Sequence, residues 1–151
     1  MQPVSSAGLA RTLTLSVTIR YLLITALLVL PRVSGASDYL SPGMPADEVV
    51  RRLGSPRAPL IVDVRKPAEY AIAHIPGAIN IPHIELLERL DEIRHEHGVL
   101  IYCFNGSRTR EAELVLFEND IDDVYHLEGT FERWLQDGYP IEKGGVKKVG
   151  W

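Results

Sequence analysis

Short apolar segments alternate with amphipathic ones along most of the chain. Three mostly apolar runs of four or five residues stand out, Leu60–Val64, Val99–Tyr102 and Val124–Leu127, and Ile79–Ile81 is a shorter one. Apolar runs of this length are typical of strands that are buried on both faces. The pattern therefore predicts four strands with little solvent exposure on either side.

Segments between these runs repeat apolar residues at spacings of three and four, as amphipathic helices do. The predicted helices cover Pro45–Leu53, His83–His95, residues 107–119 and a short stretch around Phe131–Leu135. Strands that alternate with helices favour an α/β fold, in which a mostly parallel sheet is covered by helices on both faces.

The first 36 residues differ in composition from the rest. They contain three arginines and no acidic residue, and the ten-residue apolar run Tyr21–Leu30 is followed by the small residues Ser34–Ala36. This order of regions is typical of a secretory signal peptide, whereas a spanning helix needs about 20 apolar residues. We expect a signal peptide over residues 1–36, cleaved near Ala36 or Ser37, and an exported, periplasmic protein. The alternative is an uncleaved signal that tethers the domain to the membrane.

Composition narrows the classes of function. A chain of 151 residues with 46% hydrophobic residues can form one packed domain, expected over residues 37–142 and followed by a flexible tail over residues 143–151. Sixteen basic residues against twenty acidic ones give a net charge of −4, which argues against nucleic-acid binding. The one cysteine, Cys103, excludes an intramolecular disulfide and a zinc site with several thiolates.

Cys103 follows directly on the apolar run Val99–Tyr102, at the carboxyl end of a predicted strand. Ligands of open parallel sheets collect at this end of the strands. The loop that leads into the next helix consists of Phe104, Asn105, Gly106, Ser107 and Arg108. Free N–H groups at the start of the helix, its dipole and Arg108 favour a thiolate. We therefore expect Cys103 to be a nucleophile, in a loop that lies near water and binds an anionic substrate.

Three motifs, in order along the chain, resemble those of the rhodanese-like sulfurtransferases. The loop Cys103–Arg108 matches their C-x-x-G-x-R pattern as it stands. The other two motifs are Asp63–Arg65 with Glu69–Tyr70 and His74–Pro82, and Leu127–Gly129 with Trp134, Gly138, Pro140 and Ile141. The resemblance covers about residues 44–142.

The resemblance implies a rhodanese-like domain with a five-stranded, mostly parallel sheet. It implies that Cys103 takes a sulfane sulfur from an anionic donor such as thiosulfate, carries it as a persulfide and passes it to cyanide or a thiol. Asp63 and Arg65 would brace the loop and line its mouth, and no metal or cofactor is required. The chain departs from the family pattern at Thr130, where many relatives have a second glycine, and at Phe104, where others have a polar or basic residue.

Two other functions fit part of the pattern. Many rhodanese-like modules lack the cysteine and serve in binding or regulation, although Cys103 and Arg108 weigh against that function here. A cysteine-dependent phosphatase has a C-x5-R loop, but Thr109 stands at the position of that arginine, with Arg110 beside it. The loop from Cys103 to Arg108 is one residue shorter, which suits a sulfur atom better than a phosphate group.

The remaining polar residues are interpreted as structural. His126 ends a predicted strand, and a structural role is favoured over that of a base for Cys103. His95 and His97 are expected to be solvated at a helix end rather than to bind a metal, and Trp134 is expected in the core. A solvated acidic face is predicted from Glu111, Glu113, Asp120, Asp122 and Asp123.

Overall fold

A parallel sheet forms the centre of the computed structural model, which describes residues 39–145. Within that range its five strands are β1 (Gly43–Met44), β2 (Leu60–Asp63), β3 (Ile79–Asn80), β4 (Val99–Tyr102) and β5 (Val124–Leu127). Their spatial order is β1-β5-β4-β2-β3, and every neighbouring pair is parallel. The mostly parallel, five-stranded sheet that the family resemblance implied is confirmed, whereas the hydrophobic pattern by itself predicted four of the five strands.

Helices cover both faces of this sheet, as expected. They are α1 (Ala46–Arg52), α2 (Pro67–Ile72), α3 (Ser107–Glu118) and α4 (Thr130–Gln136), together with a 3₁₀ segment (His83–Glu92). Leu86 of the 3₁₀ segment and Leu116 of α3 belong to one buried cluster. Val49 of α1, Tyr70 of α2 and Trp134 of α4 belong to another, and Trp134 is thus a core residue.

The two clusters meet the sheet through alternate residues of its strands. In β4, Val99 and Ile101 contribute to the cluster beside α3, and Leu100 and Tyr102 to the cluster on the opposite face. Successive side chains of a strand point to opposite faces of the sheet. Because both faces are covered, the residues on both faces must be apolar, and the strand is a continuous run of apolar residues in the sequence. Cys103 continues the alternation and lies in the cluster beside α3.

Three elements differ from the sequence prediction. The helix expected over His83–His95 is a 3₁₀ segment that ends at Glu92 and is interrupted at Arg89, whose φ of −123° is not helical. The Arg89 guanidinium donates to Glu85 and Glu92 and to the carbonyl of Asn80. Strand β1 and helix α2 were not predicted, because elements of two and six residues are too short to show a hydrophobic period.

The predicted signal peptide lies outside the described residues. Among residues 39–145, no helix is long and apolar enough to cross a membrane. At the other end, the N–H of Gly144 donates to the carbonyl of Ala71 over 2.9 Å. The first residues of the expected tail are therefore in contact with the domain.

Candidate active site

Cys103 lies directly after β4, the middle strand of the sheet, and its sulfur accepts a hydrogen bond from the loop. The N–H of Gly106 donates to Sγ over 3.1 Å. Gly106 has a φ of +93°, a left-handed conformation that side chains other than glycine rarely adopt. The residue type that the motif requires is thus the one that lets the backbone turn its N–H towards the sulfur.

The loop lies near water as expected, since Phe104 and Asn105 are exposed, but the Cys103 side chain itself is buried. It is only 1% exposed, because it packs in the apolar cluster with Val64, Ile101 and Ala112. Phe104, the next residue, is 39% exposed and forms part of the surface around the loop. The residues around Cys103 thus shield most of its side chain from solvent.

Asn105 and Ser107 stabilise the loop through a contact with each other. The amide oxygen of Asn105 accepts hydrogen bonds from the N–H of Ser107 over 3.3 Å and from its hydroxyl over 3.0 Å. A side chain that accepts from the backbone two residues on is the usual way in which asparagine closes a turn. These two residues shape the loop from within.

Arg108 forms an ion pair that the sequence analysis missed. Its guanidinium donates to both carboxylate oxygens of Glu69, over 2.6 and 3.0 Å. The hydrogen bond to Arg108 holds the pKa of the Glu69 carboxyl below its usual value, against the effect of burial. Glu69 lies 39 positions away in the sequence, and its hydrogen bond is the largest cause that raises the pKa of Arg108, with a further contribution from the charge of Cys103. The expected help of Arg108 to a Cys103 thiolate stays a prediction.

Asp63, Arg65 and Asn80 form a hydrogen-bonded group of polar side chains, which we call the mouth network. The Arg65 guanidinium donates to Asp63 over 2.6 to 3.0 Å, and both residues are buried. Burial opposes the charge of Arg65, but the hydrogen bonds and charge of Asp63 prevail and its pKa is raised. Arg65 also donates to the carbonyl of Ala73, and Asn80 donates to the carbonyls of Asp63 and Arg65. The motif residues upstream of Cys103 thus hold one another in place.

A cleft of about 220 Å³ opens between the mouth network and the loop. Its walls are mostly apolar; they comprise Arg65, Glu69, Ile72, Ala73, Phe104, Phe131 and Leu135. A larger hollow of about 340 Å³ lies around Pro56–Leu60, at the amino end of β2. Because Cys103 lies at the carboxyl end of the sheet, the smaller cleft is the one relevant to its chemistry.

The first residues of α4 form hydrogen bonds with the loop. The N–H of Phe131 donates to the carbonyl of Cys103, and the N–H of Glu132 to that of Phe104, each over 3.1 Å. Thr130, one of the two departures from the family pattern, has a φ of +63°. A β-branched residue is strained in this conformation, which explains why a second glycine suits this position.

Another group of polar side chains, which we call the edge network, consists of Tyr39, Ser41, Glu113 and His126. Glu113 is fully buried, so its assignment to a solvated face is wrong. Its carboxylate accepts hydrogen bonds from the N–H of Ser41 and from the Ser41 hydroxyl. His126 lies 3.7 Å from the same carboxylate, and its Nδ1 is 3.0 Å from the carbonyl of Ser41. These contacts give His126 the structural role that was favoured.

No group of three or more His, Cys, Asp or Glu side chains is arranged to hold a metal ion within residues 39–145. The rings of His95 and His97 contact each other edge to face, with centroids 5.9 Å apart. The His97 N–H donates to Nδ1 of His95 over 3.3 Å. This pair is thus explained by contacts at the end of the 3₁₀ region.

Comparison with known proteins identifies the family. A family model described as Rhodanese-like domain matches residues 45–137. The chain belongs to this family, and its parallel five-stranded sheet with helices on both faces is the fold of its structural neighbours. The matched range contains the loop, the mouth network and the start of α4, whereas Tyr39 and Ser41 precede it.

Several curated proteins are similar to this chain. It is 42% identical over 83 residues to the Bacillus subtilis protein YqhL, a match that covers 55% of this chain and 65% of that protein, just under two thirds of its length. It is 33% identical over 96 residues to a sulfurtransferase of Allochromatium vinosum, covering 64% of this chain and 90% of the relative. It is 32% identical over 82 residues to the thiosulfate sulfurtransferase GlpE of Actinobacillus pleuropneumoniae, covering 54% and 76%.

Solved structures give the same result. A thiosulfate sulfurtransferase from Pseudomonas aeruginosa superposes with a TM-score of 0.63 and 29% identity, covering 74% of this chain and 22% of that one. The Alr3790 protein from Anabaena superposes with a TM-score of 0.60 and 27% identity, covering 66% and 82%.

Proposed function

We propose that the chain is a sulfurtransferase that carries sulfur as a persulfide on Cys103. The observation that carries the proposal is the hydrogen bond from the Gly106 N–H to Sγ, in a loop at the carboxyl end of the middle strand. A donor aimed at sulfur stabilises negative charge there, both on the thiolate and on the persulfide that follows. Relatives named sulfurtransferase and thiosulfate sulfurtransferase support this assignment.

The proposed first step uses thiosulfate as the donor. The Cys103 thiolate attacks the outer sulfur and forms a new S–S bond, while the S–S bond of thiosulfate breaks and its electron pair leaves with sulfite. In the second step a cyanide ion or a thiolate attacks the outer sulfur of the persulfide. Thiocyanate or a new persulfide departs, and the Cys103 thiolate is restored. Both steps are nucleophilic displacements at sulfur, so neither requires an added oxidant, metal or cofactor.

The partners are therefore a small anion that donates sulfur and a thiol or cyanide that accepts it. The cleft between Phe104 and Leu135 leads to the loop and provides an apolar surface for the carbon skeleton of a thiol. Since Cys103 is the one cysteine of the chain, no second thiol of the same molecule competes for the persulfide. The sulfur must pass to another molecule.

Two observations support sulfur rather than phosphate as the group transferred. The Arg108 guanidinium donates to Glu69, and the Arg110 guanidinium lies 5.6 Å from the centre of the Tyr39 ring. A cysteine-dependent phosphatase needs an arginine that is free to bind two phosphate oxygens. Aryl phosphates are therefore expected to be poor substrates.

We also propose that the protein is exported. The proposal rests on the basic, apolar and small-residue order of residues 1–36. Amino-terminal sequencing of the mature protein is expected to begin near Ala36 or Ser37. Recovery of Met1 in a membrane fraction would instead identify a tethered domain.

The test of the activity uses purified residues 37–151 and the matched variant Cys103→Ser. Thiosulfate should add one sulfur atom to the wild type, seen by mass spectrometry, and cyanide should remove it as thiocyanate. Cys103→Ser should do neither. A protein that takes no sulfur and hydrolyses aryl phosphates would be a phosphatase, and one that does neither would be a binding module.

A further inference from the structure

The edge network touches the Cys103 loop through Tyr39. A Cβ placed on Gly106 would lie only 2.0 Å from the Tyr39 hydroxyl oxygen, so this oxygen fills the space beside the glycine. The N–H of the same glycine donates to the Cys103 sulfur. A glycine has more backbone freedom than any other residue, and a group packed against it restricts that freedom. Tyr39 is therefore placed to fix the direction of the one N–H that contacts the sulfur within the described residues.

Tyr39 is itself held in position by its ring. The ring stacks on the ring of His126, with centroids 3.9 Å apart and planes 14° from parallel. The Arg110 guanidinium lies 5.6 Å from the centre of the same ring. The Tyr39 hydroxyl oxygen accepts a hydrogen bond from the Arg110 side chain and lies beside Gly106.

The buried Glu113 carboxylate anchors the segment that carries Tyr39. It accepts hydrogen bonds from the N–H of Leu40 over 2.9 Å, from the N–H of Ser41 over 3.2 Å and from the Ser41 hydroxyl over 2.5 Å. A buried carboxylate is costly unless it is supplied with donors, and here all three come from the two residues after Tyr39. Glu113 lies on α3, the helix that begins at the end of the Cys103 loop. The anchor and the loop are thus joined by about one and a half turns of a single helix.

We propose that Tyr39 is a positioning residue for the Cys103 loop: its hydroxyl holds the Gly106 peptide in the orientation that donates to the sulfur, and Glu113 fixes Tyr39 in place. The proposal deepens the proposed function, and it rests on that function only for its kinetic consequence. Burial raises the pKa of the Tyr39 hydroxyl, and the nearby Cys103 raises it further. The hydroxyl thus stays protonated at neutral pH.

The test compares Tyr39→Phe with the control Tyr125→Phe, which removes a hydroxyl from β5. The phenylalanine keeps the ring that stacks on His126, so the variant should fold with an unchanged melting temperature. Iodoacetamide alkylation of Cys103 is measured at pH 7 and at about pH 9.5, where a thiol of ordinary acidity is ionised. At pH 7 the rate should fall roughly threefold to tenfold in Tyr39→Phe, the size expected for one hydrogen bond. At the higher pH it should match the wild type, and Tyr125→Phe should match it throughout.

Three outcomes would overturn the proposal. An unchanged rate at pH 7 would show that the hydroxyl does not position the loop. An equal loss at both pH values would show that Tyr39 controls access to the sulfur rather than its charge. Ser41→Ala removes one donor to Glu113 and should give the same pH-dependent loss to a smaller degree, so an unchanged profile there would remove Glu113 as the anchor.

Sulfur transfer provides a separate readout. With thiosulfate as donor, Tyr39→Phe should lower kcat and leave KM unchanged, because the hydroxyl acts on the cysteine and not on the binding of the anion. If thiosulfate is not a substrate but the alkylation rates differ as expected, the proposed function fails and the positioning role of Tyr39 stands. If thiosulfate is turned over but the alkylation rates do not differ, the proposed function stands and the positioning role of Tyr39 fails.

Discussion

The mouth network and the edge network both lie beside the Cys103 loop but are assembled from the chain in different ways. Asp63 and Arg65 are two residues apart, and their ion pair is local in sequence. Glu113 and Ser41 are 72 residues apart, and their contact exists only after the sheet has formed. A local pair leaves a motif that can be recognised, whereas a distant pair leaves none. The two networks therefore differ in how well the sequence reveals them, although both contain a buried carboxylate that needs its partners.

The largest expected effect comes from breaking the mouth network with Asp63→Ala. The Arg65 guanidinium would stay buried without a balancing charge, which costs about 3–5 kcal/mol in the free energy of unfolding. Urea unfolding followed by fluorescence measures this loss. Asp47→Ala is the control, because it breaks an exposed ion pair with Arg51 and should change stability little. Similar losses of unfolding free energy in Asp63→Ala and Asp47→Ala would show that burial does not determine how much an ion pair contributes to stability.

Breaking the edge network with Glu113→Ala should cost somewhat less, about 2–4 kcal/mol, because the three stranded donors can recover part of their hydrogen bonding with water. In addition, amide hydrogen exchange of Leu40 and Ser41 should become faster, and sulfur transfer should fall. Glu111→Ala, on the exposed side of the same helix, should change none of these. A stable Glu113→Ala protein with slow amide exchange at Leu40 would show that the position of the Leu40 and Ser41 backbone does not depend on the Glu113 carboxylate.

Mild acid should distinguish the networks, because only the edge network contains a histidine. Burial lowers the pKa of His126 below the usual value for an imidazole, about 6.5, although Glu113 acts in the other direction. The folded state therefore favours the neutral ring, and the unfolded state takes up the proton first as the pH falls. The contribution of His126 to stability is fully present above about pH 6.5 and is lost as the pH falls through the folded-state value.

The corresponding measurement is the free energy of unfolding between pH 7.5 and pH 5. His126→Gln should reduce its dependence on pH, whereas Asp63→Ala should lower stability and leave the histidine contribution in place. An identical pH dependence in the wild type and His126→Gln would contradict this assignment.

The smallest effect should come from Thr130→Gly, which belongs to neither network. Replacing a strained left-handed threonine by glycine relieves roughly 1–3 kcal/mol of backbone strain, but glycine gives back part of this through its unfolded-state freedom. We expect a net gain of about 0.5–1 kcal/mol in the free energy of unfolding and unchanged sulfur transfer. A loss of stability would mean that the threonine side chain makes a contact worth more than the strain.

Much of the fold could be predicted from the sequence because its strands are buried on both faces. Leu60–Val64 and Val99–Tyr102 gave clear apolar runs, and the structure has strands there. Strand β1 has two residues and depends on its pairing with β5, so no local pattern marked it. The 3₁₀ segment has the spacing of an amphipathic helix, and Arg89 interrupts it through contacts with residues outside its own turn.

The candidate site was predicted only in part, because only some of its residues lie close together in the sequence. Cys103, Gly106 and Asp63 lie in compact motifs, and the structure places them at the carboxyl end of the sheet. Glu69 and Glu113 are partners that the fold brings from 39 and 72 residues away, so no local pattern indicated these contacts, and Glu113 was assigned to a solvated face. A signal was nevertheless present at Glu113, which lies one helical turn from the core residue Leu116 and so on the buried side of α3.

The loop is held at once by both ends of the domain, and this has a consequence for its biosynthesis. Tyr39 contacts Gly106, and the N–H groups of Phe131 and Glu132 hold the carbonyls of Cys103 and Phe104. Residues 131 and 132 are synthesised after the cysteine, so a chain that ends before them has the thiol without these two hydrogen bonds. The hydrogen-bonded conformation of the Cys103 loop therefore forms only once the whole domain has been synthesised and folded.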